Sequence, residues 1–145
     1  MEKDFDRWNK KKKALDVGTH QPPLVSEGEI WWASIGENVG SEIGGKSDLF
    51  SRPVIILKKL AHGFYFIIPT TTQMRNGSWY VSFRQKNQGM TACLHQARAI
   101  DHRRLSSKLG TLDDTDFERV VNGFGALYIK QFPAISGGAA GKSRM

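Results

Sequence analysis

The sequence predicts a small domain built mostly of β-strands with a helix near each end, and three features predict it. Aromatic and β-branched runs recur at residues 30–35, 53–57, 64–69 and 78–83, as strands require. Between the first two runs lies a segment carrying Gly36, Gly40, Gly44 and Gly45, too many for the interior of a helix or a strand. Apolar residues at helical spacing then run from Phe117 to Tyr128, and a lysine-rich helical segment opens the chain.

With 145 residues there is chain enough for one domain and a real core. The net charge of +7 calls for an anionic partner, nucleic acid first among them, although charge speaks to attraction and not to fold. Cys93 is the single cysteine, which excludes an internal disulfide framework and a cysteine-based zinc site. The charged N-terminus lacks the apolar run of a signal peptide and no stretch approaches a membrane span, so a soluble cytoplasmic protein is expected.

Residues 1–17 read as a short basic helix with Phe5, Trp8 and Leu15 near one face. Its Lys10–Lys13 run either steers RNA towards the protein or is a solvated face. Pro22 and Pro23 then break the helix, so residues 1–26 are expected to be an addition to the domain and not part of its core. After the strand at 30–35, a glycine loop of this length is functional or disordered. Arg52 stands where it re-enters the second strand, and Pro53 biases that residue to an extended backbone. A guanidinium at a strand mouth under a glycine loop suits phosphate; the position equally fits an exposed arginine at a loop end.

The second strand runs on towards a turn at His62–Gly63. Residues 64–69, FYFIIP, are hydrophobic continuously enough to be buried on both faces. They end in Thr70, Thr71, Thr72 and Gln73, which can bond phosphate oxygens or finish the sheet. Asn76–Gly77 is the strongest hairpin-turn signal and is expected to lead into a strand at 78–83, where Trp79, Val81 and Phe83 alternate with polar residues. A polar turn at 84–89 precedes one more strand, 91–100, with His95 and Ala97 on one face and Gln96 and Arg98 on the other. Gly110 closes a polar connection, and Asp113 is the expected N-cap of the final helix. Phe117, Val120, Val121, Phe124, Leu127 and Tyr128 form its core-facing stripe, despite Gly123 and Gly125. Residues 133–145 are small and polar and are expected to be disordered; their GGAAGKS lacks the glycine, strand and helix of a phosphate-binding P-loop.

Set in order, these residues resemble the PemK/MazF family of toxin–antitoxin endoribonucleases over 27–132. Gly28–Glu29–Ile30–Trp31 looks like the family's opening strand; Gly40–Ser41–Glu42 with Gly44–Gly45 resembles its glycine loop, and Arg52–Pro53–Val54 its strand entry. Pro69, Thr71 and Thr72 follow, then Gln96, Arg98, Asp101, Arg104 and Leu105, then Gly110 and Leu112 before the helix. Each match is weak alone, and the ordered set is strong. The chain departs from the pattern in a loop lengthened at 46–51, in His95 where some members carry an acid, and in its N-terminal helix. The resemblance implies a mainly β fold, a small Src-homology-3-like barrel of the CcdB/PemK type with helices, working as a homodimer that a cognate antitoxin neutralises.

It further implies cleavage of single-stranded RNA without a metal or cofactor, the RNA's own 2′-hydroxyl attacking to leave a 2′,3′-cyclic phosphate and a 5′-hydroxyl. Arg52 and Thr71 match the catalytic pair, with Arg52 binding the phosphate and Thr71 bonding it or orienting the nucleophile. His95 can shuttle a proton near neutral pH or can merely pack on a barrel face, and Glu42 is a second candidate base. Thr72 stands behind Thr71, and Gln96 is expected to hold Arg52 or a base edge. Arg98 and Asp101 suit a structural ion pair. Trp32 and Trp79 are open to base stacking, whereas Trp31 is expected in the core. Two other readings stand beside the nuclease: a non-catalytic CcdB-like toxin that docks on DNA gyrase, and a degenerate, inactive RNA-binding relative.

Overall fold

The computed structural model describes residues 2–18, 21–47 and 50–129, so the tail expected to be disordered lies outside the described residues. Among the described residues, seven strands and two α-helices follow the order α1 (Phe5–Asp16), β1 (Glu29–Ser34), β2 (Ser51–Ala61), β3 (Phe64–Thr71), β4 (Tyr80–Gln85), β5 (Gln88–Cys93), β6 (Arg98–Asp101), β7 (Leu105–Thr111) and α2 (Asp114–Tyr128). The pairing is antiparallel throughout. It runs β4-β5-β3-β2-β1-β7, with β6 also on β3. Since β6 pairs β3, β7 pairs β1, and a single 3₁₀ turn at His102–Arg104 joins β6 to β7, the sheet curls back on itself as a small barrel.

Strands β2 and β3 are apolar on both faces because two cores meet across them. Val54, Ile56, Tyr65 and Ile67 point into the barrel with Trp31, Ala33, Ile35 and Ile100. Ile55 and Ile68 point the other way, against Phe83, Met90, Leu94 and Val120 beneath α2. Asp113 caps α2 as expected, accepting from the Asp116 amide at 2.8 Å. Only part of the expected stripe is core: Val120 is fully buried, Phe117, Phe124 and Leu127 pack on the cluster, and Val121 is exposed. Gly123 has its own reason, because a Cβ there would come within 3.0 Å of both Leu94 and Val81, so its smallness lets α2 approach the sheet.

The strand expected at 91–100 is two strands interrupted by a 3₁₀ turn, Leu94–Gln96. From the Thr70–Ala92 pair to the Ile67–Arg98 pair, β3 advances three residues and its partner six. The excess is extruded as the turn, a large bulge that bends the sheet. Face alternation therefore does not carry across His95 and Gln96. The two-residue hairpin also lies elsewhere than at Asn76–Gly77, since β3 and β4 do not pair. It is Lys86–Asn87, with φ of 51° and 66°, joining β4 to β5 through the pair Gln85–Gln88; positive φ at both positions is what a type I′ turn demands. What was expected to be a polar connection before Gly110 is β7.

Helix α1 forms where expected, but it is no mere appendage. Trp8 is 6 % exposed, while Phe5, expected on the same face, is 47 % exposed. Asp101 does not pair with Arg98: its carboxylate lies 3.8 Å from the Arg103 guanidinium and accepts from the Arg103 amide at 2.9 Å.

Candidate functional site

Arg52 opens β2 and Thr71 closes β3, each two residues beyond the paired Val54 and Pro69, so the two face each other across neighbouring strands. Both line two adjoining grooves. The larger, of about 520 Å³, continues past Trp32, Pro53, Thr72 and Met90, and the other, of about 300 Å³, past Ile43, Gln73, Arg75, Cys93, His95 and Gln96. Arg52 and Thr71 thus stand on the ridge between two clefts, with Lys46 beside them in both.

The arginine is held by backbone alone. Nε donates to the Gly44 carbonyl at 2.7 Å and Nη1 to the Thr70 carbonyl at 3.1 Å. Thr70 is itself fixed, its buried hydroxyl donating to the Pro53 carbonyl at 2.8 Å. No carboxylate among the described residues pairs with Arg52, and neither bond uses Nη2. Burial lowers its pKa from the ordinary guanidinium value and the nearby Cys93 raises it, but a guanidinium keeps its charge. Burial also pushes the Cys93 thiol up, against the pull of Arg52 and Arg75. What results is a half-buried, aimed and uncompensated positive charge, an arrangement that costs desolvation unless an anion completes it. Thr71 accepts from the Gln73 amide at 3.2 Å, leaving its hydroxyl proton to donate.

His95 sits on the 3₁₀ turn with its ring stacked on Trp79 (centroids 4.8 Å apart, planes at 24°) and edge-on to Tyr80 at 5.2 Å. Its Nδ1 is buried with no hydrogen-bond partner. Burial lowers its pKa from 6.5, opposed by a hydrogen bond to the Trp79 backbone, so the imidazole is neutral at pH 7. The turn turns His95 and Gln96 into one cleft, where alternation had set them on opposite faces.

Gln96 holds the glycine loop and not Arg52: it accepts from the Ile43 amide and donates to the Ser41 carbonyl, each at 3.1 Å. Glu42 lines neither groove. Its carboxylate accepts from the Val39 amide at 2.9 Å within the loop, so acting as a base would require that turn to open. Thr72 and Trp32 line the larger groove only, Trp32 being 38 % exposed; Trp79, 52 % exposed, lies at the rim over His95. Lys46 and Arg75 escaped the sequence reading, and Thr70 was read only as one of a cluster of hydroxyls. Lys46 follows Gly44–Gly45 directly, which was the available signal, whereas nothing local marks the carbonyl of Thr70 as an anchor.

The Lys10–Lys13 run contributes Lys12 and Lys13 to a separate cleft of about 500 Å³ shared with Arg103, Arg104, Asp16 and Asp101. Among the described residues, no group of three His, Cys, Asp or Glu side chains is placed to hold a metal ion, and no helix is long and apolar enough to cross a membrane.

The family model of PemK-like, MazF-like toxins of type II toxin–antitoxin systems matches residues 26–128. The chain belongs to that family. Its fold is that of the solved toxins. MazF from Deinococcus radiodurans superposes with a TM-score of 0.62 at 20% identity, over 72% of this chain and 96% of that one. An endoribonuclease in complex with its cognate antitoxin, from a mycobacterial species, gives 0.59 at 12% identity, over 76% of this chain and 100% of that one. The Mycobacterium tuberculosis toxin MazF-mt6 gives 0.54 at 18%, over 69% and 95%. No curated protein matches the sequence closely. The family match begins after α1, so the helix that carries the buried Trp8 lies outside the matched residues.

Proposed function

We propose that this MazF-like toxin is an endoribonuclease that cuts single-stranded RNA without a metal ion, using the 2′-hydroxyl next to the scissile phosphate as nucleophile. One observation carries the reading: an uncompensated Arg52 guanidinium, fixed by two backbone carbonyls, shares both grooves with Thr71. A docking surface has no need of such a charge, while a phosphodiester supplies the anion it lacks.

In this scheme the RNA backbone crosses the ridge with its phosphate on Arg52. The 2′-oxygen attacks phosphorus and gives up its proton, charge builds on the non-bridging oxygens, and the bond to the 5′-oxygen breaks as that oxygen takes a proton. Arg52 stabilises the developing charge, and Thr71 donates its hydroxyl to the same phosphate or aligns the 2′-oxygen. Neutral His95 is the candidate to move protons, as acceptor first and as donor afterwards, which requires its buried Nδ1 to be uncovered towards the groove. Trp32 in the larger groove and Trp79 at the rim offer faces for unpaired bases. The reading is completed by a cytoplasmic homodimer neutralised by a cognate antitoxin; solved relatives bound to their own antitoxins support the last of these.

Incubating purified protein with a long RNA in EDTA tests this. The expected result is discrete fragments with cyclic phosphate and 5′-hydroxyl ends. Intact RNA would overturn the nuclease and favour the docking toxin.

A further inference from the structure

Trp8 belongs to a helix outside the matched toxin domain, yet it is among the most buried aromatic residues of the chain. Its indole packs on Phe50 at 5.5 Å, with Arg104 5.8 Å from its ring. It also covers Gly36, where a Cβ would come within 2.1 Å of the indole. Gly36 has φ of +86° and its carbonyl accepts from the Gly45 amide at 2.7 Å. The neighbouring carbonyl, that of Gly44, is the one that takes the Arg52 Nε proton. Further along, Lys3 donates to the carbonyls of Asn38 and Gly40, and the Asp4 amide to Glu37 at 3.3 Å. Helix α1 therefore touches the glycine loop at its base, and the residues leading into the helix touch it along its outer edge. Glycine-rich loops sit at the low end of local stability, and a guanidinium anchored to one inherits its motion unless something clamps it.

We propose that Trp8 is a positioning residue for Arg52: α1 braces the glycine loop at Gly36, and through Gly45 and Gly44 the loop holds the guanidinium in line. The kinetic part of this inference rests on the nuclease reading, whereas the structural part does not. The experiment compares wild type, Trp8→Ala, Trp8→Phe, Arg52→Ala and the double variant Trp8→Ala/Arg52→Ala. Two readouts are used: hydrogen exchange of the Arg52 Nε–H signal by NMR, and steady-state cleavage of RNA. In Trp8→Ala the Nε–H signal should lose protection and kcat should fall about 10²-fold with a smaller change in KM, the scale expected of a misplaced catalytic group. Trp8→Phe should restore most of both. In the Arg52→Ala background, Trp8→Ala should cause no further loss.

Unchanged Nε–H protection in a folded Trp8→Ala protein, or a loss of activity that adds to that of Arg52→Ala, would overturn the brace. A wild-type protein that leaves RNA intact would overturn the nuclease reading alone, and the exchange measurement would still decide the brace. If Trp8→Ala does not fold, Lys3→Ala takes its place, since Lys3 touches the loop from outside the core. A smaller loss of Nε–H protection then supports the proposal, and none overturns it.

Discussion

The Arg52 guanidinium donates to the carbonyl of Thr70 at 3.1 Å, so the residue before Thr71 anchors the charge that stands beside Thr71. In the proposed reaction a phosphate on Arg52 would lie beside the Thr71 hydroxyl, because the guanidinium is tied to the main chain next to it. Arg52→Ala is expected to lower kcat/KM for RNA cleavage by about 10²–10³, the usual loss for one preorganised charge-stabilising donor. Arg52→Lys should recover little, because a point charge cannot hold two carbonyls and a phosphate at once. Cleavage within a few-fold of wild type in Arg52→Ala would remove Arg52 from the mechanism, and in Arg52→Lys would show that charge alone, without the fork, is enough.

The two adjacent threonines should separate cleanly. Thr71→Val is expected to slow turnover while leaving the melting temperature unchanged, since its hydroxyl faces the grooves. Thr70→Val removes a buried bond to the Pro53 carbonyl and should cost about 1 kcal/mol of stability. Thermal melts run beside the RNase assay check both; a fully active Thr71→Val protein would make that residue structural.

Burial keeps His95 neutral, so protonation should switch activity off on the acid side. The kcat/KM profile is expected to fall with a midpoint below 6.5, the imidazole losing its capacity to accept a proton there. His95→Gln should lower the rate and remove that limb. A limb that survives the substitution belongs to another group.

Trp32 in the larger groove is expected to stack a base. Trp32→Ala should weaken binding of single-stranded RNA by about 1–3 kcal/mol, the range for loss of one base–aromatic contact. Fluorescence titration with a non-cleavable 2′-deoxy substrate measures it, and equal affinity would place the bases elsewhere.

Glu29 offers a stability test remote from the grooves. Burial opposes its charge, but the Ser26 amide, the Trp31 indole at 2.9 Å and Lys108 at 3.1 Å together hold its pKa below 4.5. A depressed folded-state pKa contributes stability that is fully present above about pH 4.5 and fades as the pH falls through the folded value. Glu29→Gln is therefore expected to lower stability by about 1–2 kcal/mol at pH 7. The gap between the two melting curves should narrow in acid; a gap independent of pH would show that packing, not charge, is lost.

Residue order alone determined the first four strands, the double-faced burial of β3, the Asp113 cap and the placing of Arg52 and Thr71 at strand ends. Those features follow from local rules: hydrophobic period, side-chain capping and the backbone bias before proline. Tertiary structure alone decided the rest. The turn at Leu94–Gln96 exists because β5 and β6 pair with β3 in registers that differ, and no window of sequence contains all three. Lys86–Asn87 forms the hairpin because β4 and β5 pair, while the stronger local signal at Asn76–Gly77 joins strands that do not. Gln96 reached the glycine loop, and Trp8 came to cover Gly36, through contacts between segments far apart in the chain, where the energy lies in fit and not in propensity.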